Sequence, residues 1–170
     1  EYERMARYIH ETVTVKTGNY LVFAPSYQVM EQVADRCVAY KDMECIRQES
    51  GMAEEEREAF LKEFEKERNH SLVGFCVMGG IFSEGIDLTE DRLIGALIIG
   101  TGLPQVCRER EIVKEYFDKK GMDGFAYAYQ YPGMNKVLQA AGRVIRTEAD
   151  RGMILLMDDR FATISYQRLF

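Results

Sequence analysis

Five short apolar runs, at residues 20–24, 43–46, 72–78, 93–99 and 153–157, punctuate this chain, and longer amphipathic stretches separate them. The runs show little polar alternation, as expected of strands covered on both faces. The stretches between them carry apolar residues at helical spacing. Residues 27–39 place Met30, Val33, Ala34, Cys37 and Val38 on one face, and residues 53–68 do the same with Phe60, Leu61 and Phe64. Residues 107–119 carry Ile112, Val113, Tyr116 and Phe117, and further helices are predicted over 2–13 and 134–146. Strands alternating with helices across short loops predict an α/β fold with a mainly parallel central sheet and helices on both faces. No repeat, low-complexity tract or linker breaks the pattern, so residues 1–170 are expected to form one domain. The chain starts at Glu1 without a methionine and stops at Phe170 just after an apolar-rich segment, and it is expected to be a piece of a longer protein.

Charge narrows the choice of partner. The net charge of −6 argues against a general nucleic-acid coat, since such binding draws mainly on phosphate neutralisation. The distribution is uneven. Glu54, Glu55, Glu56, Glu58, Glu63, Glu65 and Glu67 make one stretch strongly acidic, whereas Lys136, Arg143, Arg146, Arg151, Arg160 and Arg168 tilt the last third the other way. A polyanion is therefore expected to meet the C-terminal third. Cys37, Cys45, Cys76 and Cys107 are irregularly spaced with no C-x-x-C pair, and His10 and His70 stand alone. That is no metal-site pattern; the four thiols read as small buried hydrophobes in a reducing compartment. No basic segment followed by an apolar stretch opens the chain. The longest apolar run, 93–106, holds three glycines and a proline and is too short to span a bilayer, so no membrane partner is expected.

In parallel α/β sheets ligands bind beyond the carboxyl ends of the strands. After the first run comes Pro25-Ser26-Tyr27, where Ser26 can cap the next helix. After the third comes a bend from Gly79 to Leu88 that contains Gly80, Ser83, Glu84, Gly85 and Asp87, and after the fourth comes Gly100-Thr101-Gly102-Leu103-Pro104. Glycines there let a ligand approach main-chain N–H groups. Asp87 can accept from a sugar hydroxyl or orient an arginine, and Ser83 can donate to an anion.

The most distinctive stretch is Gln139-Ala-Ala-Gly-Arg-Val-Ile-Arg146. At about 100° per residue, Gln139, Gly142, Arg143 and Arg146 share one stripe of a helix. Met134, Val137, Leu138, Ala141, Val144 and Ile145 gather opposite, as on a helix laid against a core. Two guanidinium groups three residues apart suit a polyphosphate, because the planar fork donates to oxygen pairs and stays charged. A glycine inside a helix costs about 1 kcal/mol relative to alanine, which suggests a close approach at Gly142. Spacing alone fits equally well an amphipathic helix with a solvated basic face.

Missing motifs are as informative. There is no G-x-x-x-x-G-K-[ST] to cradle phosphates with a lysine, no G-x-G-x-x-G opening a helix after a strand, and no Ser/His/Asp set. Arginines without a phosphate loop read as an anion clamp for a nucleotide held mainly by another domain. A non-catalytic α/β domain binding a phosphorylated or anionic partner through Arg143 and Arg146 is the competing reading. A nucleotide-sugar or other small-molecule transferase ranks last, because only Glu84 and Asp87 are on hand as general bases.

Three blocks in order give the chain a family likeness. Tyr20-Leu-Val-Phe-Ala-Pro-Ser-Tyr27 resembles motif IV of the DinG/XPD-type superfamily 2 DNA helicases, Phe82-Ser-Glu-Gly-Ile-Asp-Leu88 resembles motif V, and Gln139 to Arg146 resembles motif VI. Gly102-Leu103-Pro104 and Asp158-Asp159-Arg160-Phe161 also match the habits of that group, so the likeness runs over about residues 18–161. It implies a RecA-like fold, a three-layer sandwich forming the second motor domain of an ATP-dependent helicase. By that resemblance Arg143 and Arg146 are the arginines that reach the γ-phosphate of ATP across an interdomain cleft, and Gln139 couples their helix to the nucleotide. Glu84, Gly85 and Asp87, with Gly142 beside the arginines, serve the nucleotide side. Ser26, Tyr27, Gly80 and Ser83 lie along the path of single-stranded DNA. The partner domain would hold the phosphate loop, Mg2+ and, in many members, an iron–sulfur cluster. The likeness also implies an intracellular protein, cytoplasmic or nuclear, whose isolated second domain is inactive.

Overall fold

Buried on both faces, the middle strand of the sheet sets the architecture. The computed structural model describes residues 1–82, 93–145 and 150–170. Strand β1 (Asn19–Ala24) has Leu21, Val22 and Phe23 fully buried. It lies between β3 (Ser71–Val77) and β4 (Gly95–Ile99), with β2 (Met43–Arg47) and β5 (Met153–Met157) outside them. The order is β2-β3-β1-β4-β5 and every pairing is parallel, with registers such as Val22 opposite Phe75 and Leu97. All five runs read from the sequence are strands, and β4 begins two residues later than expected.

Alternate β1 residues enter two cores. Tyr20, Val22 and Ala24 meet α1 (Tyr2–Val15) through Ala6, Ile9 and Val13, and α2 (Tyr27–Cys37) through Met30, Val33, Ala34 and Cys37. Leu21 and Phe23 face the other way, into Phe60 of α3 (Glu54–Glu63), Phe64, and Met134, Val137 and Ala140 of α5 (Tyr131–Ala141). The C-terminal turn Asp159–Ala162 and the short α6 (Ile164–Gln167) close that second core with Phe161 and Tyr166. Gly74 leaves the space that Phe64 and Phe60 occupy: a Cβ there would lie 2.6 Å from the Phe64 ring and 3.2 Å from that of Phe60.

Three expected helices differ in detail. The acidic helix ends at Glu63 rather than 68, where Arg68 turns the chain back. Its guanidinium is nearly buried, donates to Glu44 at 2.9 Å and Glu63 at 2.6 Å, and also binds the Glu63 carbonyl. Helix α4 (Arg108–Lys119) forms as expected yet buries no residue; Ile112, Val113 and Tyr116 stay exposed. It leans instead on a π-helical turn, Ala126–Gln130, through a Phe117–Tyr127 ring stack at 4.1 Å and an Arg110 donation to the Ala128 carbonyl at 2.8 Å. That turn runs straight into α5, which starts three residues before its predicted beginning and ends at Ala141 rather than 146. No described helix is long and apolar enough to cross a membrane.

Candidate functional site

Helix α5 decides where the candidate residues lie. Gly133, near its start, packs on the turn after β4: a Cβ at Gly133 would sit 2.6 Å from the Thr101 carbonyl oxygen, and one at Gly102 would sit 2.7 Å from the Gly133 carbonyl oxygen. Gly102 also takes a φ of +65°, which disfavours any side chain there. One turn further on, the Lys136 stem crosses Gly79, whose φ is +73°, with its Cδ and Cε 3.3 Å from where a Cβ would be. Past the end of the helix, Val144 reaches Gly152, just ahead of β5. The helix therefore runs back antiparallel to the strands, from their carboxyl edge towards their amino edge, over about 16 Å.

Two groups of candidates result. Ser26, Tyr27 and Gly80 belong to the carboxyl edge, after β1 and β3. Ser26 caps α2 as expected, accepting from the Val29 N–H at 3.3 Å. Tyr27, the first residue of α2, accepts a 2.8 Å hydrogen bond on its hydroxyl from Gln48 Nε2. Gln48 is only 2% exposed, and its Oε1 accepts from the Val77 N–H at 3.0 Å. Gly80 turns back with its N–H on the Val77 carbonyl, and a Cβ on it would lie 3.4 Å from Gln48 Nε2. Tyr27 and Gly80 thus share one buried amide.

The second group sits at the far end of α5. Gln139 is exposed on the last turn and Arg143 is half-buried just beyond it. Gly142 is the residue after the helix, not inside it, with φ −65° and ψ −5°. Its N–H donates to Leu138, and the Arg143 N–H donates to Ala140, so the chain leaves the helix in a tightening turn. This corrects the single long stripe read from the sequence, and with it the cost assigned to a mid-helix glycine at Gly142. The expected apolar face is also only partly right: Met134, Val137 and Val144 are buried, but Leu138 and Ile145 are each 42% exposed. Ser83, Glu84, Gly85, Asp87 and Arg146 lie outside the described residues.

From β1 the chain passes to α2 on one face of the sheet, and from β4 it reaches α5 on the other by way of α4 and the π-helical turn, which opens a crevice at the carboxyl edge between the two strands. A cleft of about 680 Å³ occupies it, walled by Pro25, Thr101, Gly102, Asp158, Arg160 and the start of α1. Arg160 grips Asp158 at 2.8 and 2.7 Å and holds its carboxyl below the ordinary carboxylate range. Among the described residues no group of three or more His, Cys, Asp or Glu is placed to hold a metal ion.

Sequence reading missed Gln48 and named Lys136 only within the basic C-terminal third, not as a residue of the site. Gln48 directly follows β2, at a strand's carboxyl end where a polar residue is worth suspicion. Lys136 lies three residues before Gln139 and shares its stripe. The thiols were half right. Burial pushes Cys37 up to about 12 and Cys45 up to about 11, and Cys76 higher still, while Cys107 is exposed rather than buried.

A five-stranded parallel sheet between two helical layers, with its loops and a capped helix gathered at the carboxyl edge, defines a RecA-like α/β domain. The chain belongs to the helicase C-terminal domain family, whose description matches residues 9–170. It is 33% identical over 151 residues to the ATP-dependent DNA helicase DinG of Photobacterium profundum, covering 86% of this chain and 21% of that protein. It is 27% identical over 159 residues to the Fanconi anemia group J protein homolog of Gallus gallus, covering 83% and 13%. Among solved structures, the one described as XPD_APO superposes with a TM-score of 0.79 at 22% identity, over 99% of this chain and 34% of that one. Domain 2 of the DEAD-box helicase Mss116p bound to an RNA duplex superposes at 0.51 and 12% identity, over 92% and 49%. The two curated relatives are much longer proteins, of which the chain spans 13% and 21%.

Proposed function

We propose that residues 1–170 are the second motor domain of an ATP-driven DNA helicase and act only within a longer protein. Arg143 and Arg146 reach the terminal phosphate of ATP held, with its Mg2+, by a first motor domain, and Gln139 couples their segment to the nucleotide. Glu84, Gly85, Asp87 and Gly142 serve the nucleotide side of the link. Ser26, Tyr27, Gly80 and Ser83 line part of the single-strand path.

The observation that carries this reading is the division of labour along α5. Its start is locked to the loops at the carboxyl edge, and its far end delivers Gln139 and Arg143. A strand-tracking surface needs backbone contacts made by hydroxyls, main-chain N–H groups and cations rather than base readout. Ser26, Tyr27 and Lys136 offer two hydroxyls and a cation together at that edge. Phosphoryl transfer is accelerated mainly by positioning and charge stabilisation, and an arginine supplied from outside contributes on the order of 10³–10⁵ in rate. An arginine on a separate domain makes hydrolysis wait for closure.

The test is Arg146→Ala in the intact protein, which should remove most of the DNA-stimulated ATPase and leave the melting curve unchanged; full turnover would refute the role. The 170-residue chain alone should hydrolyse ATP no faster than buffer. Tight binding of a phosphorylated ligand by that isolated chain, seen by titration calorimetry, would favour an anion-binding module instead.

A further inference from the structure

Gln48 has a polar side chain buried at the edge of the sheet, and its side-chain hydrogen bonds lead to the last residue of β3 and the first of α2, beside the loops of the candidate strand path. Its backbone N–H continues the ladder, donating to the Phe75 carbonyl at 2.8 Å. Its amide oxygen faces the Val77 N–H and its amide nitrogen faces the Tyr27 hydroxyl. Chemistry fixes that orientation. A backbone N–H only donates, so the oxygen must face Val77, and the NH2 then donates to Tyr27. The Tyr27 oxygen is therefore an acceptor on its protein side, and its own hydrogen is left to donate elsewhere. A Cβ built on Gly80 would lie 3.4 Å from the same amide nitrogen, so the turn passes close to it, and the Met78 N–H is tied to the Ala24 carbonyl of β1 at 2.8 Å. The loop after β1 and the turn after β3 are thereby registered against each other through one side chain. The Lys136 stem crosses Gly79, next in the chain to Gly80.

We propose that Gln48 is a positioning residue for nucleic-acid binding: by donating to the Tyr27 oxygen it turns the Tyr27 hydrogen outward, as a donor to a phosphate oxygen of the bound strand. The inference rests on the single-strand reading above and adds to it a residue outside the three recognised blocks. A hydroxyl so polarised is a better donor, since a hydrogen bond accepted at the oxygen strengthens the one given by the hydrogen. The same amide makes the height of the Gly79–Gly80 turn and the aim of Tyr27 interdependent.

The test is a double-mutant cycle in the full-length protein, read by fluorescence anisotropy with a labelled oligothymidylate and by ATPase titration. Gln48→Leu should weaken oligonucleotide binding about tenfold in the parent background, the loss expected for one hydrogen bond to a charged acceptor. In a Tyr27→Phe background the same change should cost less than about twofold, and the KM for ATP should stay unchanged in both. Gln48→Glu supplies an independent arm. The carboxylate keeps both contacts but can only accept, so it turns the Tyr27 hydrogen inward. It should lose more oligonucleotide affinity in the parent than in a Tyr27→Phe background, where only the cost of the added buried charge remains, and a purely structural role would not give that difference. If Gln48→Leu does not fold, this arm alone decides. Equal losses from Gln48→Leu with and without the Tyr27 hydroxyl, or full affinity in Gln48→Glu, would overturn the Gln48 role and leave the single-strand reading standing. No oligonucleotide binding by the unmutated protein would overturn both.

Discussion

The same substitution at two glycines of one segment should have opposite effects. Gly133→Ala adds a methyl group to helix α5, and by propensity alone this stabilises by about 1 kcal/mol. Its surroundings reverse the sign. The new Cβ would lie 2.6 Å from the Thr101 carbonyl oxygen, 3.1 Å from the Gly102 carbonyl carbon and 3.1 Å from the Leu103 nitrogen. All three are backbone atoms, so no side chain can swing aside. Relief requires the helix or the turn after β4 to move by several tenths of an ångström, and overpacking of that kind costs roughly 1–3 kcal/mol. The net expectation is a loss of up to about 2 kcal/mol, seen as a fall in melting temperature of up to roughly 8 °C. Gly142→Ala meets only the Leu138 and Gln139 carbonyl oxygens, at 3.2 and 3.5 Å, in a right-handed backbone conformation that alanine adopts readily. It should be neutral or stabilise by up to about 1 kcal/mol. Urea denaturation of the 170-residue chain, with both variants beside the parent, measures the pair. A neutral Gly133→Ala with a destabilised Gly142→Ala would refute the placement of α5 derived from these contacts.

Four further outcomes are expected. Thr101 is 1% exposed and its buried hydroxyl has no hydrogen-bond partner among the described residues, so Thr101→Val should raise stability by about 1 kcal/mol; a loss in the melt would reveal a partner for that hydroxyl. The Glu44 carboxyl is held below its ordinary value first by Arg68 and then by His70, and that of Asp158 by Arg160. Because these folded-state values are lowered, their contribution is fully present above the unfolded values of about 4 and is lost as pH falls through the folded ones, so Arg68→Met should flatten the acid limb of a stability–pH curve. Iodoacetamide at neutral pH should label Cys107 well before Cys37, Cys45 or Cys76, and mass spectrometry of the native protein would count the modified sites. Lys136→Ala in the intact protein should weaken oligonucleotide binding and reduce its salt dependence by about one phosphate contact; an unchanged salt slope would place Lys136 off the path.

Periodicity located every strand and the long helices, because each is specified by its own run of side chains. What it left open depends on distant partners. The end of α5 is set by Val144 tucking against Gly152, and nothing within the helix announces that contact. Apolar spacing in α4 is genuine, but spacing cannot say that its neighbour is a π-helical turn rather than the sheet. The candidate residues of the carboxyl edge were readable as strand-end loops. Gln48 was not, since its meaning lies in Tyr27 and Val77, 21 and 29 residues away in the chain. Lys136 was within reach of the same helical stripe that picked out Gln139.

Helix α5 is pinned at both ends by glycines that admit no side chain, Gly102 with Gly133 at one and Gly152 at the other. A strut seated without clearance cannot absorb a push by bending a side chain; it must travel as a body. If Arg143 serves a nucleotide as proposed, the close backbone contacts of Gly102 with Gly133 join the segment that carries it to the turn after β4, so the seating of α5 links the two edges of the sheet.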